Sequence, residues 1–384
     1  MTDLGGSATT SDRGGTDRVD GADPVIVRTA LSDGVPLPGT NGFAGILDGT
    51  LVRDVLGRRP LFVDRDDADR WSRTPTDLKR PRSLPAGRVL DADGERRVWS
   101  LPDPDPVDDL TALEEVGAAV RDRVRSVDSD GLAVAFSGGV DSGVVAAGVP
   151  EAPLYVAGFE GAHDVAAARE AAASMDRDLR VVELTHDDLT RAVPEIVAAT
   201  GRRNPMDVAI ALPLYLVGER AAADGYTRLA VGQGADELFG GYAKVVDPAD
   251  DPRVDASTVR GARRETVATL PDQLERDVLA LGAAGVEPVA PLLHDRIVSA
   301  ALALPGHLLV ADSERKVALR AAAEGLVPEH VRSANKKAVQ YGTYVSRELD
   351  RLARQSGFKR RMDDHVGRYV ADLCGEEYRT GDEA

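Results

Sequence analysis

The sequence predicts an α/β protein: a doubly wound parallel sheet with a helical C-terminal part, preceded by a small, mostly β unit. Three observations carry this expectation. Apolar runs alternate with helically spaced stretches from Asp108 to Leu184, as successive βαβ units require. A glycine-rich corner, Ser137-Gly138-Gly139-Val140-Asp141-Ser142, joins one apolar run to a helix-compatible stretch. Between Pro24 and Trp99, short β-like pieces are separated by turn signals such as Asp48-Gly49 and Asp93-Gly94.

In chain order, residues 1–24 are mostly Gly, Ser, Thr and Asp, and with so little apolar content they are expected to form a disordered tail. Residues 25–105 make the β unit and its linker. Its expected strands are Pro24–Arg28, Phe43–Leu47, Thr50–Arg53, Pro60–Val63 and Arg97–Trp99. Three prolines in Leu101-Pro102-Asp103-Pro104-Asp105-Pro106 exclude both a helix and a central strand, so this stretch is the expected linker. The main domain, 106–384, opens with an amphipathic helix over Asp108–Val127. A strand at Leu132–Phe136, a helix at Ser142–Gly148, a strand at Leu154–Phe159, a helix at Asp164–Met175 and a strand at Leu179–Leu184 follow. After Tyr242 the chain turns Ala-, Leu- and Arg-rich with helical spacing, and no further strand is expected.

At 384 residues, two units that each bury a core are the natural division. The net charge of −17 argues against a nucleic-acid partner, because phosphate neutralisation needs a basic stripe. No apolar run reaches eighteen residues, and the N-terminus lacks the pattern of a signal peptide. A soluble, cytoplasmic protein is therefore expected, with no membrane partner. Cys374 is the only cysteine, which excludes an internal disulfide and any site needing two thiolates of one chain. Lysine occurs at only six positions while Arg, Asp and Glu are plentiful. Two readings stay open: the surface of a halophilic protein, or the codon bias of a GC-rich genome.

The chemistry centres on the glycine-rich corner. An apolar strand runs directly into it, and Gly138 and Gly139 let the backbone approach an anion while N–H groups at the helix start point toward it. Ser137 and Ser142 add hydroxyl donors. The corner is neither a Walker A loop, lacking Gly-Lys-Ser/Thr, nor a Gly-x-Gly-x-x-Gly loop. A second motif, Leu229-Ala-Val-Gly-Gln-Gly-Ala-Asp-Glu-Leu-Phe-Gly-Gly-Tyr242, supplies another strand end with neighbouring acids, Asp236 and Glu237, between glycines. Such acids suit a Mg²⁺ ion that also touches phosphate oxygens.

The first corner resembles the phosphate loop of the ATP-pyrophosphatase (PP-loop) group, whose members cleave ATP between its α and β phosphates. With the second motif, the chain resembles the synthetase domain of asparagine synthetase. The likeness runs on through Gly158-Phe159-Glu160, Arg276-Asp277, Gly285-Val286-Glu287 and Arg315-Lys316, covering most of residues 110–345. The resemblance implies an adenine nucleotide α-hydrolase-like fold and an ATP-dependent amide-forming ligase. A carboxylate, aspartate in the family, is adenylated with release of pyrophosphate, and ammonia then displaces AMP.

The roles implied are these. Ser137, Gly138, Gly139, Asp141 and Ser142 hold pyrophosphate, while Ala157, Gly158, Val231 and Gly232 wall the adenine and ribose. Asp141 and Asp236 hold Mg²⁺. Lys316 neutralises charge growing on the α-phosphate, and Asp277, Gln233 and Glu287 orient substrate or Lys316. Lys336, Lys337, Gln340 and Tyr341 are expected to close over the site or to form a solvated helix end.

Val52–Phe62, Ser83–Gly87 and Trp99 resemble segments of the family's glutaminase domain. That domain's nucleophile is an N-terminal cysteine, whereas position 2 here is Thr. A degenerate glutaminase remnant is expected, with free ammonia or a separate glutaminase supplying nitrogen. Within the synthetase pattern, Gln233 stands where the family has Asp or Glu, Val289 where it has Arg, and His294 where it has Asp. Another carboxylate acceptor and a non-catalytic ATP-binding protein thus remain alternatives to an aspartate-specific enzyme.

Overall fold

The computed structural model describes residues 10–11, 17–334 and 341–376. The first unit is built from two antiparallel sheets. One orders Arg18–Asp20, Ala44–Leu47, Thr50–Arg53, Arg88–Asp91 and Gly94–Arg97 side by side; the other orders Thr10–Ser11, Arg70–Ser72, Phe62–Asp64 and Pro81–Ser83. Ala44, Ile46, Leu51, Leu61, Val63, Trp71, Leu84 and Leu90 form the core they share.

Several expectations for this unit are corrected. Pro24–Asp33 is a helix, not a strand: the Asp23 side chain caps it by accepting from Val25 N–H, Pro24 suits the first turn, and Gly34 ends it in a left-handed conformation. Its inner face buries Val27 and Ala30 beside Phe43 and Trp99. The expected tail is not wholly disordered, since Arg18–Asp20 pairs with Ala44–Ile46. Gly45 permits that pairing, because a Cβ there would lie 2.0 Å from the Arg18 carbonyl oxygen. Trp99 is not in a strand; the last one is Gly94–Arg97, and Trp99 packs edge-on to Phe43 at 5.4 Å.

The second unit holds a five-stranded parallel sheet: β1 Leu132–Ala135, β2 Leu154–Gly158, β3 Leu179–Glu183, β4 Arg228–Ala230 and β5 Glu287–Val289, in the order β3-β2-β1-β4-β5. The strand β5 corrects the expectation that none follows Tyr242. It is three residues long and contains Pro288, so it carries no alternating pattern; as an edge strand it tolerates the missing N–H. A two-stranded hairpin, Val310–Ala311 with Glu314–Arg315, follows it.

Helices cover both faces. On one lie α1 Asp109–Arg125, α2 Val140–Gly148 and α3 His163–Ser174; on the other lie α4 His186–Thr200 and α5 Pro205–Ala223. Alternate strand residues feed the two cores, Leu132 and Val134 into the first, Tyr155 and Ala157 into the second. The chain continues through α6 Val259–Ala268, α7 Leu270–Ala283, α8 Asp295–Leu302, α9 Val317–Ala322, α10 Tyr341–Gln355 and α11 His365–Leu373. Strand order reverses between β1 and β4, and ligands of such sheets bind at the carboxyl ends beside that point.

Residues 98–108 have no regular structure. Arg264 donates to the carbonyls of Leu101 and Pro102, and Arg260 to that of Pro104, so α6 fixes this stretch. The Arg53-Asp54 segment pins the two units together. Arg53 donates to Ser83, to the Leu84 carbonyl and to Glu275 of α7. The buried Arg58 guanidinium bridges Asp54 at 2.8 Å and Asp295 of α8 at 2.7 Å. Among the described residues, no helix is long and apolar enough to cross a membrane.

Candidate active site

The carboxyl end of β1 turns through Phe136–Gly139 into α2. Gly138 takes a φ of 75° and packs so close to α3 that a Cβ would sit 2.9 Å from the Ala168 Cα. The loop braces itself: the Ser142 hydroxyl accepts from Ser137 N–H at 3.1 Å and lies 3.2 Å from the Ser137 hydroxyl. Its shape is thus set by its own residues, with amides at the helix start left to meet an anion. The end of β4 closes against it, where a Cβ on Gly232 would lie 3.0 Å from the Asp141 Cβ.

Beside the loop lies the strongest electrostatic feature of the site. The Lys316 ammonium, 6% exposed, sits 2.7 Å from Asp141 of α2 and 2.5 Å from Asp236 of the short helix Ala235–Leu238. Burial alone would drive its proton off, but the two flanking carboxylates more than offset this and its pKa is raised. Lys316 reaches this point from a left-handed backbone conformation, φ 63°, just before α9, an uncommon state for a side-chain-bearing residue. The second glycine pair makes room for it. At Gly241 a Cβ would fall 2.0 Å from the Asp236 carboxylate and 2.3 Å from the Lys316 Cε.

Two carboxylates from separate strand ends, aimed at one cationic centre beside an anion loop, form a hard oxygen donor set. Asp141 and Asp236, both paired with Lys316 here, are the residues that would hold a Mg²⁺ ion. No cluster of three or more metal-binding side chains occurs among the described residues, so protein ligands alone would not complete such a site.

A cavity of ≈ 280 Å³ opens in front of these groups. Ser137, Asp141, Ser142, Ala157, Val231, Gly232, Gln233, Asp236 and Asp277 all line it. Gly158 caps β2 behind it, tight against Val165, where a Cβ would lie 2.4 Å from a methyl group. The Gln233 amide donates to Asp277, whose other oxygen accepts from Arg276 at 2.7 Å. Burial raises the Asp277 pKa despite Arg276 beside it.

Glu287 is not brought to this group. It stands at the amino end of β5, half exposed, and pairs with Arg59 at 3.1 Å. The reason is direction: ligands gather at the carboxyl ends of parallel strands, and Glu287 begins one. Lys336, Lys337 and Gln340, the side chain of Tyr341, and Thr2 lie outside the described residues.

The structure gives surroundings to residues that the sequence had only noted within motifs, and adds α5, which it had not. Glu237 is buried, accepts from the Tyr242 hydroxyl at 2.6 Å and has its pKa pushed up to about 7 by burial. Arg276 lines the cavity and is held by Asp277 and by Asp207 at 2.9 Å. The apolar wall comes from α5, through Ile210, Pro213, Leu214 and Val217. Glu237 lay within a motif already noted; α5 carried no signal, because an apolar helix facing a cavity has the same composition as one facing core.

Comparison with known proteins is consistent with this geometry. A glutamine-hydrolysing asparagine synthetase B of Escherichia coli is 25% identical over 283 residues, 65% of this chain and 50% of that protein. A Methanocaldococcus jannaschii protein named for the same enzyme is 27% identical over 294 residues, 67% of this chain and 54% of its own. A nodule asparagine synthetase of Pisum sativum is 29% identical over 123 residues, 28% of this chain and 21% of that one. The chain thus spans about half the length of the first two. An NH3-dependent NAD synthetase structure from Campylobacter jejuni overlaps 70% of this chain and 94% of its own at 12% identity, with a TM-score of 0.28, too low to bear on fold or function. The asparagine synthase family model matches residues 111–264 and 250–372, which take in Ser137–Ser142, Asp236 and Lys316, and the chain belongs to the asparagine synthase family.

Proposed function

We propose that this protein is an ATP-dependent amide-forming ligase that adenylates a carboxylate, releases pyrophosphate and passes the acyl group to ammonia. The observation that carries the reading is Lys316, buried between Asp141 and Asp236 directly beside the Ser137–Ser142 loop. A buried lysine with two carboxylates would be a costly way to stabilise a fold. Beside an anion loop it is a device for handling phosphate charge.

In this reading the loop amides with Ser137 and Ser142 hold the β and γ phosphates, which become pyrophosphate. The acceptor carboxylate attacks the α-phosphorus in line, the α–β bridging bond breaks, and Lys316 stabilises the charge that grows on the α-phosphate. Asp141 and Asp236 would hold Mg²⁺, which supplies Lewis-acid neutralisation of the phosphates. Ammonia then attacks the acyl carbon, a proton leaves the nitrogen, and AMP departs. Ala157, Gly158, Val231 and Gly232 would flank the nucleoside.

One observation favours an acceptor other than aspartate. Arg276 is the one arginine among the described residues lining the cavity, and Asp277 and Asp207 already engage it. A second carboxylate on the acceptor would therefore lack a free guanidinium. The N-terminal unit is read as a degenerate glutaminase remnant, since Cys374, the only cysteine, lies at the end of α11. Nitrogen would come from free ammonia or a separate glutaminase.

The test is pyrophosphate release from ATP and Mg²⁺ with ammonia across a panel of carboxylic and amino acids, aspartate first. Acid-dependent release of equal pyrophosphate and AMP is expected with at least one acid. No release with any acid, in protein shown to bind ATP, would leave a nucleotide-binding role without catalysis.

A further inference from the structure

A second cavity, ≈ 300 Å³, opens between the N-terminal β unit and the outer edge of the parallel sheet, around β5 and the end of α1. Charge sets it apart. On a chain of net charge −17, its lining carries four arginines against two carboxylates, Asp128 and Glu287. Three of the arginines are engaged: Arg58 by Asp54 and Asp295, Arg59 by Asp20 and Glu287, and Arg228 by Asp128 and nearby carbonyls.

The fourth is not. The Arg123 guanidinium, in the last turn of α1, has no hydrogen-bond or ion-pair partner among the described residues, and its Nε is buried and unsatisfied. Leaving a buried donor unmet is costly. Nearby, the His294 ring is 7% exposed and lines the same cavity. Its Nδ1 accepts from the Arg296 N–H at 3.1 Å, which puts its proton on Nε2, and that donor also lacks a partner among the described residues. Burial, with the Arg123 charge adding to it, lowers the His294 pKa. The exposed Asn41 amide completes the rim, again with no partner among the described residues.

Unmet donors, the Arg123 guanidinium among them, gathered in one concavity call for an oxyanion. We propose that this cavity is an anion-binding site distinct from the nucleotide pocket, taking a compact oxyanion, a phosphate or a small dicarboxylate, on Arg123, His294 and Asn41. It is placed to communicate with the first cavity, because Gln233 and Leu274 line both and Gln233 is the residue that holds Asp277. The site stands whether or not the chain adenylates an acid.

The experiment is isothermal titration of the full chain with inorganic phosphate and, separately, with succinate, at ionic strength fixed with sodium chloride. Saturable binding of one or both is expected. The two arms distinguish a phosphate site from a dicarboxylate site. Arg123→Gln should weaken that binding roughly ten-fold or more, the worth of a charge-assisted hydrogen bond, and Asn41→Ala should weaken it less. Ser137→Ala, in the nucleotide loop, should leave it intact, and all three variants should melt near the wild-type temperature without ligand. The proposal is overturned if neither anion binds saturably, if Arg123→Gln and Asn41→Ala bind as wild type does, or if binding disappears in Ser137→Ala.

Discussion

Replacing Lys316 by Met tests the central feature of the site, since the length and bulk of the side chain are kept while its charge is removed. Asp141 and Asp236 both lie within 2.7 Å of that ammonium, so its loss leaves two carboxylates facing each other. Breaking a fully buried pair costs ~3–5 kcal/mol. Here the two aspartates keep 14% and 23% of their side-chain surface, and water can partly resolvate them, so we expect ~2–3 kcal/mol. For a chain of this size that lowers Tm by roughly 2–4 °C. Millimolar Mg²⁺ should then stabilise the variant more than the wild type, because the divalent ion takes over the missing charge. Pyrophosphate release should fall by about 10²–10³, the usual effect of removing one preorganised group from a charge-developing step. Differential scanning calorimetry with and without Mg²⁺, alongside the pyrophosphate assay, reads both effects. An unchanged Tm together with undiminished release would refute the reasoning.

Gly241→Ala places a methyl group on Asp236 and Lys316 at once. The variant should remain folded by circular dichroism yet lose about 10²-fold in pyrophosphate release, since small displacements at a reacting centre are that costly. Arg58→Ala strands Asp54 and Asp295, both essentially without exposure, and should lower stability by about 3–5 kcal/mol in urea titration. Glu237 has a folded pKa near 7, above its ordinary value of 4.5. Between those values the folded state binds more protons than the unfolded, so stability should decline as pH rises through that window. Glu237→Gln should flatten that decline, as measured by thermal melts from pH 4.5 to 8.

The parts of the site that the sequence displayed are those assembled locally. Ser137–Ser142 bend through their own glycines and brace through their own hydroxyls, and Gly232–Tyr242 carry both glycine pairs and the acids within one turn-helix-turn. The parts it hid are assembled across distance. Arg276 reads as one more arginine until Asp277 and Asp207 close on it from two helices. Glu287 lies in a segment that resembles the family's pattern, but it begins its strand instead of ending it. Pro24–Arg28 looked extended because Pro and β-branched residues dominate it; the Asp23 cap and the burial of Val27 and Ala30 decided for a helix over Pro24–Asp33.

By itself, the sequence determined the layered α/β class, the glycine-rich turn after β1 and the acidic motif after β4, because each rests on backbone preferences and periodicities that act over a few residues. Only the tertiary structure decided that Lys316 sits between Asp141 and Asp236, that Gly241 must be glycine to admit it, and that Arg123 and His294 share a second cavity. Those outcomes depend on residues far apart in the chain arriving at the carboxyl ends and outer edge of one sheet. Strand order and direction settle this, and no local pattern encodes it.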